Sequence, residues 1–253
     1  MDYHSLKKVV RGILDKMRHR NLKLTDSPTA DISMDEGFMR LYEKCRPYTA
    51  TSLERMYALY KASQYIVRYK IPGHVVECGV WKGGSSMLCA LALKQMGEAG
   101  RKIYLYDTYS GMSEPTERDL DFKGTSAHEL LERKENRDVA CFSSLEETRN
   151  NLSLTGYPAE NFIFVEGRVE DTIPRVLPEN IAILRLDTDW YESTYHELLH
   201  LFPRLSRNGV IILDDYGHWK GARAATDRYF RENQIKILLN RIDYTGRIGI
   251  RSD

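Results

Sequence analysis

Short apolar runs alternate with longer amphipathic stretches along most of this chain, and that rhythm predicts its elements. From His74 onward, His74–Gly79, Lys102–Asp107, Phe162–Val165, Ile181–Asp187 and Val210–Asp214 read as buried strands. Each is a brief apolar run bounded by turn signals. Between them, Gly84–Met96, Leu145–Leu152, Tyr191–Leu205 and Ala222–Asn233 carry helical periodicity, and Val169–Val176 is a short helix containing Pro174. Ile235–Leu239 and Gly246–Ile250 read as late strands. Strands alternating with helices predict an α/β fold with a doubly wound, mostly parallel seven-stranded sheet of Rossmann-like type.

Before His74 the pattern is helical. Residues 4–20 are polar and amphipathic, and the helical period resumes over Asp35–Arg46. Pro47 stops it, because the residue before a proline is pushed out of the helical region. Thr51-Ser52-Leu53-Glu54 resembles a capping box with Thr51 as cap. Leu53, Met56, Leu59, Tyr60 and Ile66 then recur at three-to-four spacing. The expected organisation is an N-terminal helical cover over residues 1–70 and an α/β domain over 71–253. Residues 109–140 are too long for an ordinary connection. They read as a lid over a site or a solvated insertion, with a short helix around His128–Glu135. Tyr109, Met112, Phe122 and Phe142 are its expected apolar anchors.

Composition narrows the class. The 253 residues are 42% apolar, enough for a packed core, and a net charge of +1 offers no general field for nucleic acid or anionic membrane. No apolar run reaches the length of a membrane span, and the N-terminus lacks the apolar core of a signal peptide. The basic stretch Lys7 to Lys23 is a solvated helix face or a weak anionic-surface contact. Cys45, Cys78, Cys89 and Cys141 form no CxxC pair, so structural zinc and a disulfide framework are not expected. Reduced thiols in a cytoplasmic protein fit this usage.

The candidate chemistry lies at the ends of strands. Ile-Leu-Arg-Leu-Asp-Thr-Asp (183–189) and Val-Ile-Ile-Leu-Asp-Asp (210–215) each end an apolar run in paired acids. In a parallel sheet these ends open onto the ligand crevice. Asp187, Asp189, Asp214 and Asp215 would share one rim and repel one another, which calls for protons, cations or a metal. A hard divalent ion with oxygen ligands answers that need. Asp187 and Asp189 project to one face of extended backbone. Adjacent Asp214 and Asp215 reach one ion only if the strand stops there, and Tyr216-Gly217 supplies the turn. The structural alternatives are helix caps, Asp215 for a helix near Trp219 and Asp189 for one beginning at Tyr191.

Val-Val-Glu-Cys-Gly-Val-Trp-Lys-Gly-Gly-Ser-Ser (75–86) reads as strand, glycine turn and helix start. Glycines admit close backbone approach, and a helix N-terminus offers free N–H donors. Glycines at 79, 83 and 84 do not match the dinucleotide G-x-G-x-x-G. Asp107 ends the second strand, where an acid holds ribose hydroxyls or caps the turn Thr108-Tyr109-Ser110-Gly111. Glu77 could neutralise a sulfonium or form a strand-end salt bridge. His218 and Trp219 are candidate acceptor-pocket residues, and Arg223 a candidate anion contact. Trp81, Trp190 and Tyr191 read equally as core or as sugar-stacking platforms.

Val-Glu-Cys-Gly-Val-Trp-Lys-Gly-Gly-Ser-Ser, Leu-Arg-Leu-Asp-Thr-Asp-Trp-Tyr-Glu-Ser-Thr and Asp-Asp-Tyr-Gly-His-Trp-Lys-Gly-Ala-Arg, in this order, resemble the macrocin O-methyltransferase family. The resemblance implies a class I methyltransferase fold and S-adenosylmethionine- and Mg²⁺-dependent methylation of a sugar hydroxyl in a small-molecule glycoside, nucleotide sugar or glycan. It implies that Asp187, Asp214 and Asp215 hold the metal and that Asp189 is the general base. It places the cofactor against Glu77, Gly79, Val80, Trp81, Ser85, Asp107, Thr108, Ser110, Asp187 and the Gly167–Asp171 stretch with Glu170. Catechol-type relatives place a lysine where this chain has Asp189, and a carboxylate suits a less acidic sugar hydroxyl. The alternatives are an NAD(P)-dependent oxidoreductase, disfavoured by the glycine spacing and the rim acids, and a non-catalytic cofactor-binding protein. The N-terminal helices are a candidate surface for a homo-oligomer.

Overall fold

The computed structural model describes residues 29–132 and 142–252. The strands are β1 (His74–Cys78), β2 (Ile103–Asp107), β3 (Phe162–Glu166), β4 (Ile181–Leu186), β5 (Leu205–Leu213), β6 (Asn240–Arg241) and β7 (Arg247–Ile250). They form one sheet in the order β3-β2-β1-β4-β5-β7-β6. The pairs among β1 to β5 are parallel, and β7 runs antiparallel to both β5 and β6. The doubly wound, mostly parallel seven-stranded sheet is therefore present. Its strand order reverses between β1 and β4, the topological switch at which such sheets bind ligands.

The helices are α1 (Ala30–Ser33), α2 (Glu36–Cys45), α3 (Leu53–Arg68), α4 (Gly84–Gln95), α5 (Ala127–Glu132), α6 (Leu145–Ser153), α7 (Val169–Thr172), α8 (Tyr191–Leu201) and α9 (Lys220–Glu232). Asp35 caps α2 by accepting from the Phe38 amide. Ser52, not Thr51, caps α3: its hydroxyl accepts from the Arg55 amide at 3.2 Å. The Thr51 hydroxyl is engaged elsewhere, accepting from Arg185 at 3.0 Å.

Ile235–Leu239 is not a strand. Ile235, Ile237 and Leu239 pack against the core from irregular backbone, and the pairing with β7 passes to Asn240–Arg241. An alternating apolar pattern reports burial on one side, which a tethered loop satisfies as well as a strand. The helix expected to reach Leu205 stops at Leu201, and a 3₁₀ turn containing Pro203 leads into β5. The amphipathic stretch 4–20, the basic run around it and Cys141 lie outside the described residues, so the first of the N-terminal helices proposed as a homo-oligomer surface does too.

Both faces of the sheet are covered. One apolar cluster joins Phe38, Met56, Leu59 and Ile66 of the cover to α4 and to Val75, Ile103 and Ile183 of the sheet. The other packs Leu198, Phe202 and Tyr229 against Val76, Leu184 and Ile211. The described part of the cover thus shares the main core. Phe38, fully buried, sits among the rings of Tyr42, Tyr57 and Tyr60. Cys45, Cys78 and Cys89 are free and buried. Among the described residues no helix is long and apolar enough to cross a membrane.

Phe38→Ala is expected to cost about 3–5 kcal/mol of stability, read by urea unfolding as a single shifted transition. Two separate transitions would show that the cover unfolds by itself.

Candidate active site

The strand ends at the switch are pressed together, and glycine makes this possible. Gly79 follows β1 with φ +83°, and a Cβ there would lie 1.9 Å from the Asp187 carbonyl oxygen. The Asp187 amide donates to the Cys78 carbonyl at 2.8 Å, and the Asp214 amide to that of Leu186 at 2.9 Å. At Gly84 a Cβ would come within 2.6 Å of the Tyr48 backbone, so the cover sits directly on the glycine turn.

A cavity of about 420 Å³ opens over this junction. Gly79, Val80, Trp81 and Ser85 of the glycine turn line it. Asp107 and Thr108 reach it from β2, and Gly167 and Glu170 from the end of β3. Asp187, Asp189, Asp214 and Asp215 meet on its far side, and His218 and Trp219 complete that wall. Glu77, Ser110 and Asp171, also expected here, are not part of the lining. Glu77 is buried in β1, where Arg185 Nη1 donates to it at 2.5 Å and the Ser86 hydroxyl donates to its other oxygen. The salt-bridged reading of Glu77 is the one that its geometry displays. Arg223 lies on the surface and pairs with Asp227 at 3.7 Å.

Asp107 binds backbone on both sides of the cavity. Its Oδ2 accepts from the Val80 and Trp81 amides at 2.7 and 2.9 Å, and its Oδ1 from the Tyr109 amide at 2.7 Å. It therefore locks the glycine turn to its own turn. Trp81, Tyr109 and Asp189 all have left-handed backbone, with φ of +48°, +51° and +67°. Such conformations in non-glycine residues cluster at functional sites, where the surroundings over-determine them.

Neither acid expected as a helix cap acts as one. The α8 and α9 N-termini carry no side-chain cap from Asp189 or Asp215. Trp219 Nε1 donates to Asp189 Oδ1 at 2.7 Å, and Asp215 Oδ2 accepts from the Asp189 amide at 3.1 Å. Desolvation raises the pKa of Asp189 to about 6, partly offset by the Trp219 hydrogen bond. Desolvation also raises Asp187, against the pull of Arg185 and with repulsion from Asp214. Asp215 is raised by desolvation and by Asp189 and Asp187.

The residue that holds these acids together was missed in the sequence. Arg185 is buried one residue before the carboxyl end of β4. Besides Glu77, its guanidinium contacts Asp187 Oδ2 at 2.8 Å and Asp214 Oδ1 at 2.9 Å. Arg55 of α3 also pairs with Asp214. A signal for Arg185 existed: an arginine inside an apolar run is almost never buried unpaired. Arg55 gave none.

The 109–140 segment is docked along its described part, but not by all the expected anchors. Tyr109 is buried, and Met112 packs beside Trp190 and Trp219, whereas Phe122 and Phe142 are exposed. Two buried aspartates take the anchoring role. Asp119 accepts from the Tyr191 amide at 2.8 Å and the Thr116 amide at 2.7 Å. Asp121 accepts from the Lys123 and Thr125 amides at 2.9 and 2.8 Å. Trp190 Nε1 donates to the Ser113 carbonyl at 2.8 Å. Buried backbone groups need partners, and short carboxylates supply them as well as apolar packing does.

A hard divalent cation suits the donor set of the rim. Glu77, Asp187 and Asp214 pair with the two guanidiniums of Arg185 and Arg55, and Asp189 and Asp215 add carboxylate oxygens outside those pairs, so hard oxygen donors outnumber the cations at the rim. Asp214 Oδ1 is buried and, although close to Arg185, receives no aligned hydrogen bond. Among the described residues, however, no three His, Cys, Asp or Glu side chains are placed so that together they could hold a metal ion.

The sequence matches the family described as Macrocin-O-methyltransferase (TylF) over residues 11–248. The chain belongs to the macrocin O-methyltransferase family. It is 32% identical over 202 residues, 79% of this chain and 74% of the relative, to the 8-demethyl-8-(2,3-dimethoxy-alpha-L-rhamnosyl)-tetracenomycin-C 4'-O-methyltransferase of Streptomyces olivaceus. It is 31% identical over 205 residues, 81% of this chain and 79% of the relative, to the Mycinamicin III 3''-O-methyltransferase of Micromonospora griseorubida. The solved O-methyltransferase NovP aligns with a TM-score of 0.72 and 27% identity, covering 81% of this chain and 83% of that one. The protein is thus an S-adenosylmethionine-dependent O-methyltransferase by family, and the oxidoreductase and non-catalytic alternatives lose their ground.

Arg185→Met is expected to destabilise the chain by about 3–5 kcal/mol at neutral pH, because buried carboxylates lose their counterion. Burial raises the carboxyl pKa of Glu77 and Asp187 above their ordinary values. The folded variant therefore gains protons and stability as pH falls toward the unfolded values near 4. Urea unfolding at pH 5 and pH 7.5 checks this: the deficit shrinks at the lower pH.

Proposed function

We propose that this enzyme transfers the methyl group of S-adenosylmethionine to a sugar hydroxyl of a glycoside, nucleotide sugar or glycan, with Asp189 as general base. The carrying observation is the environment of Asp189. It lines the cavity beside three other aspartates, is oriented by Trp219 and Asp215, and has a pKa raised to about 6. A base with a pKa near working pH is the efficient kind. The two relatives compared above are named for methylation at 4' and 3'' positions, which supports a sugar acceptor.

In the transfer, the acceptor oxygen attacks the methyl carbon as the carbon–sulfur bond breaks. The hydroxyl proton passes to an Asp189 oxygen. The cavity binds both reactants in line, which supplies proximity and orientation. Asp107 is read as the ribose contact, using the acceptor capacity that Oδ1 keeps beside the Tyr109 amide, since the Thr108 hydroxyl meets it only at 3.4 Å. The glycine turn provides close approach for the cofactor. The docked 109–132 segment, pinned through Asp119 and Trp190, closes one side against water. Asp187, Asp214 and Asp215 are the residues read as holding Mg²⁺. Such an ion lowers the pKa of a bound hydroxyl and fixes its direction.

Asp189→Asn should lower kcat by about 100-fold or more while leaving S-adenosylhomocysteine affinity by calorimetry unchanged. Product S-adenosylhomocysteine released with a panel of glycoside acceptors is the readout, and wild-type turnover in the variant refutes the assignment. EDTA should remove turnover and Mg²⁺ restore it, in the same assay; full activity in chelator rules out the metal.

A further inference from the structure

We infer that Arg55 competes with a divalent cation for Asp214 and thereby sets the metal affinity of the acidic rim. The inference rests on the metal reading proposed above and concerns a residue of the helical cover. Arg55 lies in the first turn of α3, three residues after the cap Ser52. Its Nη1 pairs with Asp214, whose side chain is wholly buried. Behind it, Nε donates to Asp243 Oδ2 at 3.0 Å and to the Ser52 hydroxyl at 3.3 Å. Asp243 is itself fixed, accepting from the Ser52 hydroxyl at 2.7 Å and from the Thr245 amide at 2.9 Å. The guanidinium is thus held from the rear with its charged edge on Asp214.

The two arginines on Asp214 differ in what they can do. Arg185 sits inside β4 and also serves Glu77 and Asp187, so it has no alternative position. Arg55 faces the cavity from the cover, and Asp243 offers it a second carboxylate. Arg55 is therefore the exchangeable counterion. A cation held by Asp214 would bring a second positive charge to the carboxylate that Arg55 already pairs with, and like charges brought to one carboxylate repel strongly in protein surroundings. Metal entry then requires Arg55 to withdraw, and the strength of its pair with Asp214 is subtracted from metal binding. If Arg55 only oriented Asp214 for a ligand role, removing it would weaken metal binding instead. The two roles differ in sign.

The test needs no acceptor. Mn²⁺ is titrated into the full chain and free Mn²⁺ is followed by electron paramagnetic resonance, for wild type, Arg55→Gln and Arg55→Lys. Arg55→Gln is expected to bind Mn²⁺ roughly tenfold or more tightly, and Mn²⁺ to raise its Tm more than that of wild type. Arg55→Lys, with a shorter and unforked cation, is expected to fall between, and carries the test if Arg55→Gln does not fold. Unchanged or weaker Mn²⁺ affinity in the folded variant overturns the inference while the metal reading stands. Loss of S-adenosylhomocysteine affinity with unchanged Mn²⁺ binding also overturns it, assigning Arg55 to the cofactor. If no chain, wild type included, binds Mn²⁺ at millimolar concentration, the metal reading itself fails.

Discussion

Five carboxylates crowd the carboxyl ends of β1, β4 and β5, and the fold tolerates them because the Arg185 guanidinium is buried in their midst. It contacts Glu77, Asp187 and Asp214 at once. A guanidinium suits this position because its planar fork presents several N–H donors in different directions and stays charged when desolvated. Lysine would offer one point charge and shed its proton more readily. The arrangement is costly in isolation, since buried ion pairs rarely repay their desolvation. Its return is positional: three strand ends are held in one relation to the cavity.

Backbone proximity supplies the second half of that relation. Gly79 lets β1 and β4 touch, and Gly84 lets the cover rest on the turn that follows. The cover is therefore more than a lid on the core. Through Thr51 it touches Arg185, and through Arg55 it touches Asp214, so its α3 N-terminus is wired into the same charge network.

On the opposite wall, Asp189 is shaped by its neighbours rather than by a regular element. Its left-handed backbone, the Trp219 indole and the Asp215 carboxylate fix both its main chain and its side chain. Trp219 also stacks edge-on with Trp190, which binds Ser113 of the docked segment. Glu197, buried in α8, accepts from the Thr188 hydroxyl at 3.0 Å and braces the same turn from below. These residues converge from distant parts of the chain to place one carboxylate at the cavity.

Much of this was legible in the sequence because it is local. Apolar runs of strand length, their alternation with helices and the break at Pro47 report short-range sterics and burial, and they gave the expectation of a doubly wound sheet with four aspartates at one rim, whereas the strand order and its switch came from the structure. The family motifs placed Gly79, Asp107 and Asp189 at the cavity. Other features were decided only by tertiary contact. Asp119 and Asp121, rather than Phe122 and Phe142, anchor the long segment, since which backbone amides lie bare depends on what packs nearby. Ile235–Leu239 shows an alternating pattern without a strand, because burial on one side does not specify a pairing partner. Arg55 meets Asp214 although the two are 159 positions apart in the chain. Charge compensation acts through space, and a linear chain records which charges exist but not which of them the fold will bring face to face.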